Sequence, residues 1–304
     1  MVLSEYAILS NMLSLETAQP ITVNGTALAT SVKGKGASLV FVHGGVSDLR
    51  TWSNQFDTFT ESFRTIAYSR RYSKPNEPIP VDASDPIQKH VDDLAGLIDV
   101  LEAGPAHIVG HSWGALIALL VAKQKPEICR TLVLIEPPVV SMHVSVPPTV
   151  PKIIWLLLTA PRLALAIAKL GGTALGPAEK AFRRGDDERA IEFFGRGVLG
   201  KRYFEELTEE RYAQVWENRG PDRALALHHG FPDLIGETWT EVNVPVMLVS
   251  GADSPRIFDL LNDSLLDRLP NARKRVIPNA SHMVQEDAPE TLNKAILEFL
   301  DIID

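Results

Sequence analysis

The feature that most constrains the fold is the pentapeptide G-H-S-W-G at residues 110–114. A short apolar run, Ala106–Val109, precedes it and predicts a strand, and a longer one, Ala115–Ala122, follows it and predicts a helix. A serine held between a strand and a helix by two flanking glycines is the pattern of a nucleophile elbow. The turn is so sharp that a side chain at either glycine would collide with a neighbouring strand or helix. The pattern therefore predicts an exposed hydroxyl on Ser112, held in a strained backbone conformation.

Predicted strands and helices alternate along the chain on both sides of this motif. Continuous apolar runs at Ser38–Val42, Thr131–Ile135 and Val244–Ser250 predict buried strands. Val91–Leu101 and Pro289–Ile303 have the apolar spacing of amphipathic helices. Such alternation predicts an α/β fold, with a mostly parallel central sheet and helices on both of its faces.

One long segment interrupts the alternation. Six prolines fall between Pro137 and Pro161, and the residues that follow show helical patterns without a convincing strand. We therefore predict a core made of residues 21–136 and 241–304, with an inserted helical cap at 137–240.

Two apolar stretches of the sequence could in principle be a targeting signal or a membrane span. Residues 1–20 lack the basic start and unbroken apolar core of a secretory signal, so they are interpreted as a helical or loose leader. The stretch from Ile153 to Leu170 is interrupted by Pro161, Arg162 and Lys169, which favours two helices over a membrane span. A lipid-facing lid is the alternative for this second stretch.

The amino-acid composition limits the kinds of molecule that the chain is expected to bind. The 304 residues are 45% hydrophobic and 22% charged, which is typical of globular domains. The formal net charge of −8 argues against a general affinity for nucleic acid or for an anionic membrane. Cys129 is the only cysteine, which excludes an intrachain disulfide and a thiolate metal cluster and suits a cytoplasmic location. The sequence carries no sign of a particular oligomeric state.

Three motifs occur in a defined order along the chain. They are His43-Gly44-Gly45 after a predicted central strand, the elbow around Ser112, and His282 in the loop after the last predicted strand. On these motifs the chain resembles the α/β-hydrolases with a single helical cap, from the Ser38 strand to the final helix. The resemblance implies that Ser112 is the nucleophile and His282 its base. It also implies that the backbone N–H groups of Gly45 and Trp113 form the oxyanion hole.

The acid of the triad departs from the commoner pattern of the family. The usual G-x-x-D arrangement after the cap reads Gly251-Ala252-Asp253-Ser254 here, which places Asp253 one residue early. Glu136 stands instead at the end of the strand that precedes the cap, where some family members carry their acid. A carboxylate beside Pro137 in an apolar run also needs a partner to be buried. We expect Glu136 to be the acid, with Asp253 as the alternative.

The serine nucleophile restricts the chemistry that the resemblance implies. Epoxide hydrolases and haloalkane dehalogenases of this fold attack with an aspartate, whereas Ser112 would form an acyl-enzyme. The expected function is hydrolysis of a carboxylic ester or lactone, and apolar cap residues such as Trp155, Phe193 and Trp216 favour an apolar small-molecule substrate. The alternatives are a carbon–carbon hydrolase, an acyl transferase or lyase with the same triad, and a ligand-binding receptor or pseudoenzyme. No metal or nucleotide motif is evident, so we expect no cofactor.

Overall fold

The computed structural model describes residues 13–80, 82–145, 148–228 and 230–302. Residues 1–12, most of the predicted leader, lie outside the described part of the chain. The first strand already includes Gln19 and Pro20, so regular structure begins two residues before the predicted start of the core.

A single eight-stranded sheet forms the centre of the molecule, in the order β1-β2-β4-β3-β5-β6-β7-β8. The first two strands pair antiparallel through the Asn24-Gly25 turn, and β2 pairs antiparallel with β4. From β4 to β8 every pairing is parallel. The strands are β1 Gln19–Val23, β2 Thr26–Lys33, β3 Ser38–Val42, β4 Arg64–Tyr68, β5 Ala106–His111, β6 Cys129–Ile135, β7 Val246–Gly251 and β8 Ala272–Ile277.

Helices cover both faces of this sheet, as the sequence predicts. One face carries α2, α3 and α11, and the other carries α1 and α13. The core helices are α1 Ser53–Thr60, α2 Ile87–Val100, α3 Trp113–Gln124, α11 Arg256–Leu266, α12 Val284–Asp287 and α13 Pro289–Asp301. Short 3₁₀ turns lie at Leu49–Trp52, Pro126–Ile128 and Val139–Met142.

The central strands are mostly apolar because both of their faces are covered. In β5, Ile108 packs into the cluster beneath α3, whereas Val109 packs into the cluster beneath α1 and α13. The same alternation divides Leu132 from Val133 in β6. Side chains that point to opposite faces at successive positions thus fill two separate cores.

The segment between β6 and β7 is helical. Its helices are α4 Val150–Thr159, α5 Pro161–Leu170, α6 Gly176–Arg183, α7 Asp187–Leu199, α8 Lys201–Glu205, α9 Glu209–Glu217 and α10 Arg219–Leu227. A π-helical turn at Gly171–Leu175 joins α5 to α6. Ile153–Leu170 thus lies in two helices, as predicted, and they meet at Pro161. No helix in the described ranges combines the length and the apolar character needed to cross a bilayer.

Candidate active site

Parallel strands bring their carboxyl ends to one edge of the sheet, and the candidate residues follow those ends. Ser112 lies after β5, Glu136 after β6 and His282 in the loop after β8. Ligand and catalytic sites of open α/β sheets lie at this edge.

The turn at Ser112 has the strained conformation that the motif predicts. Ser112 has φ 50° and ψ −119°, a backbone conformation that residues other than glycine rarely adopt. Its N–H donates to the Ile135 carbonyl oxygen at 2.8 Å. A Cβ at Gly110 would lie 2.6 Å from the Ala115 Cα, and one at Gly114 would collide with the Val42 carbonyl oxygen. Both glycines are therefore required by the close approach of strand and helix.

His282 and Glu136 form a direct pair. The His282 Nδ1 lies 2.6 Å from Glu136 Oε2, and both side chains are buried. Glu136 has φ 49°, another strained position, and its Oε1 accepts the Gly251 N–H at 2.8 Å. The carboxylate is thus fixed at both oxygens and can hold the imidazole in one orientation.

Burial disfavours charge on either partner of this pair. It raises the pKa of the Glu136 carboxyl to about 8, although the nearby Ser254 hydroxyl and the hydrogen bond from the Gly251 N–H oppose the shift. Burial likewise lowers the pKa of His282 to about 3, with the Asp287 carboxylate opposing. Between these values the two groups share one titratable proton, and they titrate as a unit.

The His282 ring is also held by its other neighbours. Phe258 of α11 stacks on it with ring centroids 4.0 Å apart. His111 donates from Nε2 to the His282 carbonyl oxygen at 2.8 Å, which is a structural role for the histidine inside the elbow. The base is thus positioned by three separate elements of the core.

Asp253, the alternative acid, lies elsewhere. Its side chain is exposed and accepts a hydrogen bond from the Tyr203 hydroxyl of the cap at 2.7 Å. Ser254 occupies the position where the commoner pattern has an aspartate, and its side chain lies close to the Glu136 carboxyl group. The geometry therefore brings Glu136, and not Asp253, against His282.

Among the described residues, the Ser112 hydroxyl has no hydrogen bond to His282. Such catalytic hydrogen bonds are often long before substrate binds, so their absence does not exclude the assignment.

The two candidate oxyanion donors, Trp113 and Gly45, line the same small cavity. Trp113 opens α3, and the first N–H groups of a helix have no partner within the helix. Gly45 lies in the loop after β3. This loop is held in place by the buried side chains of His43 and Arg70. His43 Nε2 accepts the Arg70 N–H at 2.8 Å, and the Arg70 Nη2 donates to the Gly44 carbonyl at 2.8 Å.

A cap residue that the sequence did not single out contacts this loop. Asp222 of α10 accepts the Val46 N–H at 2.7 Å, and a Cβ at Gly45 would collide with its carboxylate. Burial raises the pKa of Asp222 to about 6, while the Val46 N–H and Arg70 oppose the shift. Nothing in the sequence marks Asp222, because its role depends on how the cap helix docks on the core.

A small cavity of about 10 Å³ lies at this junction of core and cap. It is lined by Gly45, Arg70, Asp85, Trp113, Pro221, Asp222 and Leu225. Arg70 is buried there, as is Asp85, whose Oδ1 has no hydrogen-bond partner. The cap aromatics that favour an apolar substrate do not line this cavity, so the substrate preference stays a prediction. Trp155 is 60% exposed, and Phe193 packs within the cap.

No group of three or more His, Cys, Asp or Glu side chains that could hold a metal is found in the described ranges.

Comparisons with known proteins agree with the fold. A model of the alpha/beta hydrolase family matches residues 39–295. The AB hydrolase superfamily protein YfhM of Bacillus subtilis (strain 168) is 26% identical over 93% of this chain and 97% of its own length. A thermophilic esterase from Thermogutta terrifontis has a TM-score of 0.69 at 20% identity, and covers 94% of this chain and 97% of that one.

An epoxide hydrolase from Bacillus megaterium gives a TM-score of 0.71 at 22% identity, over 93% of this chain and 100% of that one. At these identities the structural neighbours establish the architecture. The family model, which spans most of the sequence, establishes more: the chain belongs to the alpha/beta hydrolase family.

Proposed function

We propose that this chain is a serine hydrolase that cleaves a carboxylic ester or lactone through an acyl-enzyme. The observation that carries the proposal is the buried His282–Glu136 pair, 2.6 Å from Nδ1 to Oε2, at the sheet edge where the elbow presents Ser112. A serine hydroxyl is a weak nucleophile and needs such a base to remove its proton as it attacks.

In the proposed mechanism, Ser112 Oγ attacks the carbonyl carbon of the substrate while His282 Nε2 takes the hydroxyl proton. Glu136 holds Nδ1–H, so that Nε2 carries the free lone pair, and stabilises the imidazolium that forms. The N–H groups of Gly45 and Trp113 donate to the oxyanion. His282 then protonates the leaving alcohol, and water activated by the same histidine releases the acid.

The type of nucleophile separates this proposal from epoxide hydrolysis. A serine that opened an epoxide would be left as an ether, which a histidine-activated water cannot cleave. Attack on a carbonyl gives an acyl-enzyme that the same machinery can hydrolyse. Ser112 therefore supports acyl transfer to water, even though one structural neighbour is an epoxide hydrolase.

The proposal is tested by mass spectrometry after exposure to a fluorophosphonate, with Ser112→Ala as the control. We expect one adduct, on Ser112, and its formation should slow strongly in Glu136→Gln. Screening of activated esters and lactones would follow. A folded protein without an adduct would overturn the proposal and favour a ligand-binding receptor of the same fold.

A further inference from the structure

The cap presents an apolar surface to solvent. Of the twelve large apolar side chains that are exposed in the described residues, seven lie on α4 and α5. They include Ile154 at 53% exposure, Trp155 at 60%, Leu158 at 79% and Leu165 at 65%. Large contiguous apolar surfaces of this kind mark interaction sites. We call the exposed face of these two helices the cap hairpin surface.

The hairpin is attached along one edge only. Helix α5 packs against α4 and against α11 of the core, whereas α4 makes its main contacts with α5. Leu156 is the only buried residue of α4, and Leu163 and Ala164 are the buried residues of α5. The remaining apolar side chains of α4 are thus not needed to hold the cap on the core.

Charge is distributed unevenly along the chain. Although the whole chain has a net charge of −8, no Asp or Glu occurs from residue 137 to residue 178. The basic residues of that segment are Lys152, Arg162 and Lys169. Within the described part of the chain none of the three forms an ion pair. The segment is therefore locally cationic on an otherwise acidic protein.

Two of the three cations share a face of α5 with an exposed apolar side chain. Arg162, Leu165 and Lys169 are spaced three and four residues apart, which places them on the same side of α5, and all three are exposed. Taken together, the two helices expose apolar side chains, basic residues and a tryptophan, which is the composition of an interfacial membrane anchor.

We propose that the cap hairpin surface binds the surface of an anionic lipid bilayer. The apolar side chains of α4 would enter the boundary between headgroups and acyl chains, and the three cations would contact anionic headgroups. The helices lie on the bilayer and do not span it.

The same charges argue against a second copy as the occupant. A symmetric dimer through this face would bring the three cations of each copy together with no carboxylate from the segment to neutralise them. Like charges at an interface are unfavourable, whereas an anionic bilayer complements them.

The test is co-sedimentation of the full chain with vesicles of phosphatidylcholine alone and of phosphatidylcholine mixed with phosphatidylserine. We expect binding to the mixed vesicles, which weakens as salt is added, and little binding to the neutral ones. Leu158→Glu should weaken binding at least about tenfold, because a charge replaces an inserted apolar side chain. Lys169→Gln should weaken it about fivefold, the contribution of one basic residue near the surface.

The matched control is Val100→Glu on α2. This valine is 57% exposed but lies outside the hairpin, so the variant should bind vesicles like the parent. Thermal melting should show that every variant is folded. Brominated lipids should quench the fluorescence of Trp155, and this quenching should be lost in Trp155→Phe.

Three outcomes overturn the proposal. One is that the parent chain does not sediment with phosphatidylserine vesicles at low salt. Another is that Leu158→Glu and Val100→Glu bind equally, which would place the lipid contact elsewhere. The third is a concentration-dependent dimer, measured by sedimentation velocity, that Leu158→Glu abolishes. In that case neither the parent nor any variant would bind vesicles.

Discussion

Helices α3 and α4 are similar in apolar character and opposite in surroundings. In α3 every residue from Trp113 to Ala122 is buried, whereas in α4 only Leu156 is. Helix α3 follows the elbow directly, so it must lie against the sheet and under the neighbouring α2. Helix α4 belongs to the inserted cap and packs along one side only.

Apolar composition therefore does not by itself determine where a helix lies. The connection of α3 to a central strand leaves none of its first ten residues exposed, and this packing holds the Ser112 turn in place. The connection of α4 leaves most of its apolar surface free to meet a partner. The core therefore holds the candidate catalytic residues, whereas the cap carries the surface that we propose to bind a membrane.

The sharpest test of this division concerns the acid. Glu136 belongs to the core and contacts His282, whereas Asp253 contacts Tyr203 of the cap. We expect Glu136→Gln to lower kcat on an activated ester by about 10⁴, because the imidazole loses its tautomer and orientation. Asp253→Asn should change kcat only a few-fold, roughly what loss of one exposed hydrogen bond causes. The opposite ranking of the two variants would assign the acid to Asp253.

The second prediction compares the two helices directly through the free energy of unfolding. Leu116→Ala in α3 leaves a cavity at a fully buried site, so it should lower that free energy by about 2–5 kcal/mol. Leu158→Ala in α4 removes a side chain that is 79% exposed and should change it by less than about 0.5 kcal/mol. Urea titration followed by circular dichroism measures both, and equal losses would mean that the α4 face is covered in solution.

Much of the core was predictable because its signals are local. The two glycines of the elbow, the strand before it and the helix after it predict the fold, and the sheet and both helical layers follow that prediction. The sequence favours Glu136 as the acid because a carboxylate at the end of a buried strand needs a partner. Its contact with His282 was also predictable, since both residues follow the carboxyl ends of strands in the same sheet.

The cap was less predictable because its contacts are not local. Asp222 reaches the Gly45 loop only through the docking of α10, which no spacing in the sequence encodes. The cap residues that favour an apolar substrate do not line the cavity between core and cap, and their part in substrate binding stays a prediction. Trp155 faces solvent, and Phe193 packs against the small cluster around Phe182 instead of the cavity.

The third prediction uses the pH dependence of the core pair. Burial raises the pKa of Glu136 to about 8, so below that pH the Glu136–His282 pair retains its shared proton and Nε2 is not free as a base. We expect kcat/KM for a neutral ester to rise with pH, about tenfold per unit, and to level off near pH 8. A rate already constant from pH 5 upward would show that Glu136 is ionised throughout that range.

The smallest expected effect concerns the one place where the cap contacts the candidate oxyanion loop. The folded-state pKa of Asp222 is raised by burial to about 6, above its unfolded value of 3.8, so its ionisation destabilises the folded state as pH rises through 6. Asp222→Asn cannot ionise, although its amide oxygen can still accept the Val46 N–H. Relative to the parent, its free energy of unfolding should therefore improve by about 1 kcal/mol between pH 5 and pH 8.

Urea titrations of the parent and of Asp222→Asn at the two pH values measure this change, and the comparison cancels the titration of all other groups. Asp267→Asn is a suitable control, since Asp267 lies beyond the end of α11 and outside the cavity. No change with pH for Asp222→Asn would mean that the carboxylate is solvated, and that α10 does not hold the Gly45 loop in solution. A clear change would show that the cap, whose outer face is free, is bound to the core through the loop that carries the candidate oxyanion donor.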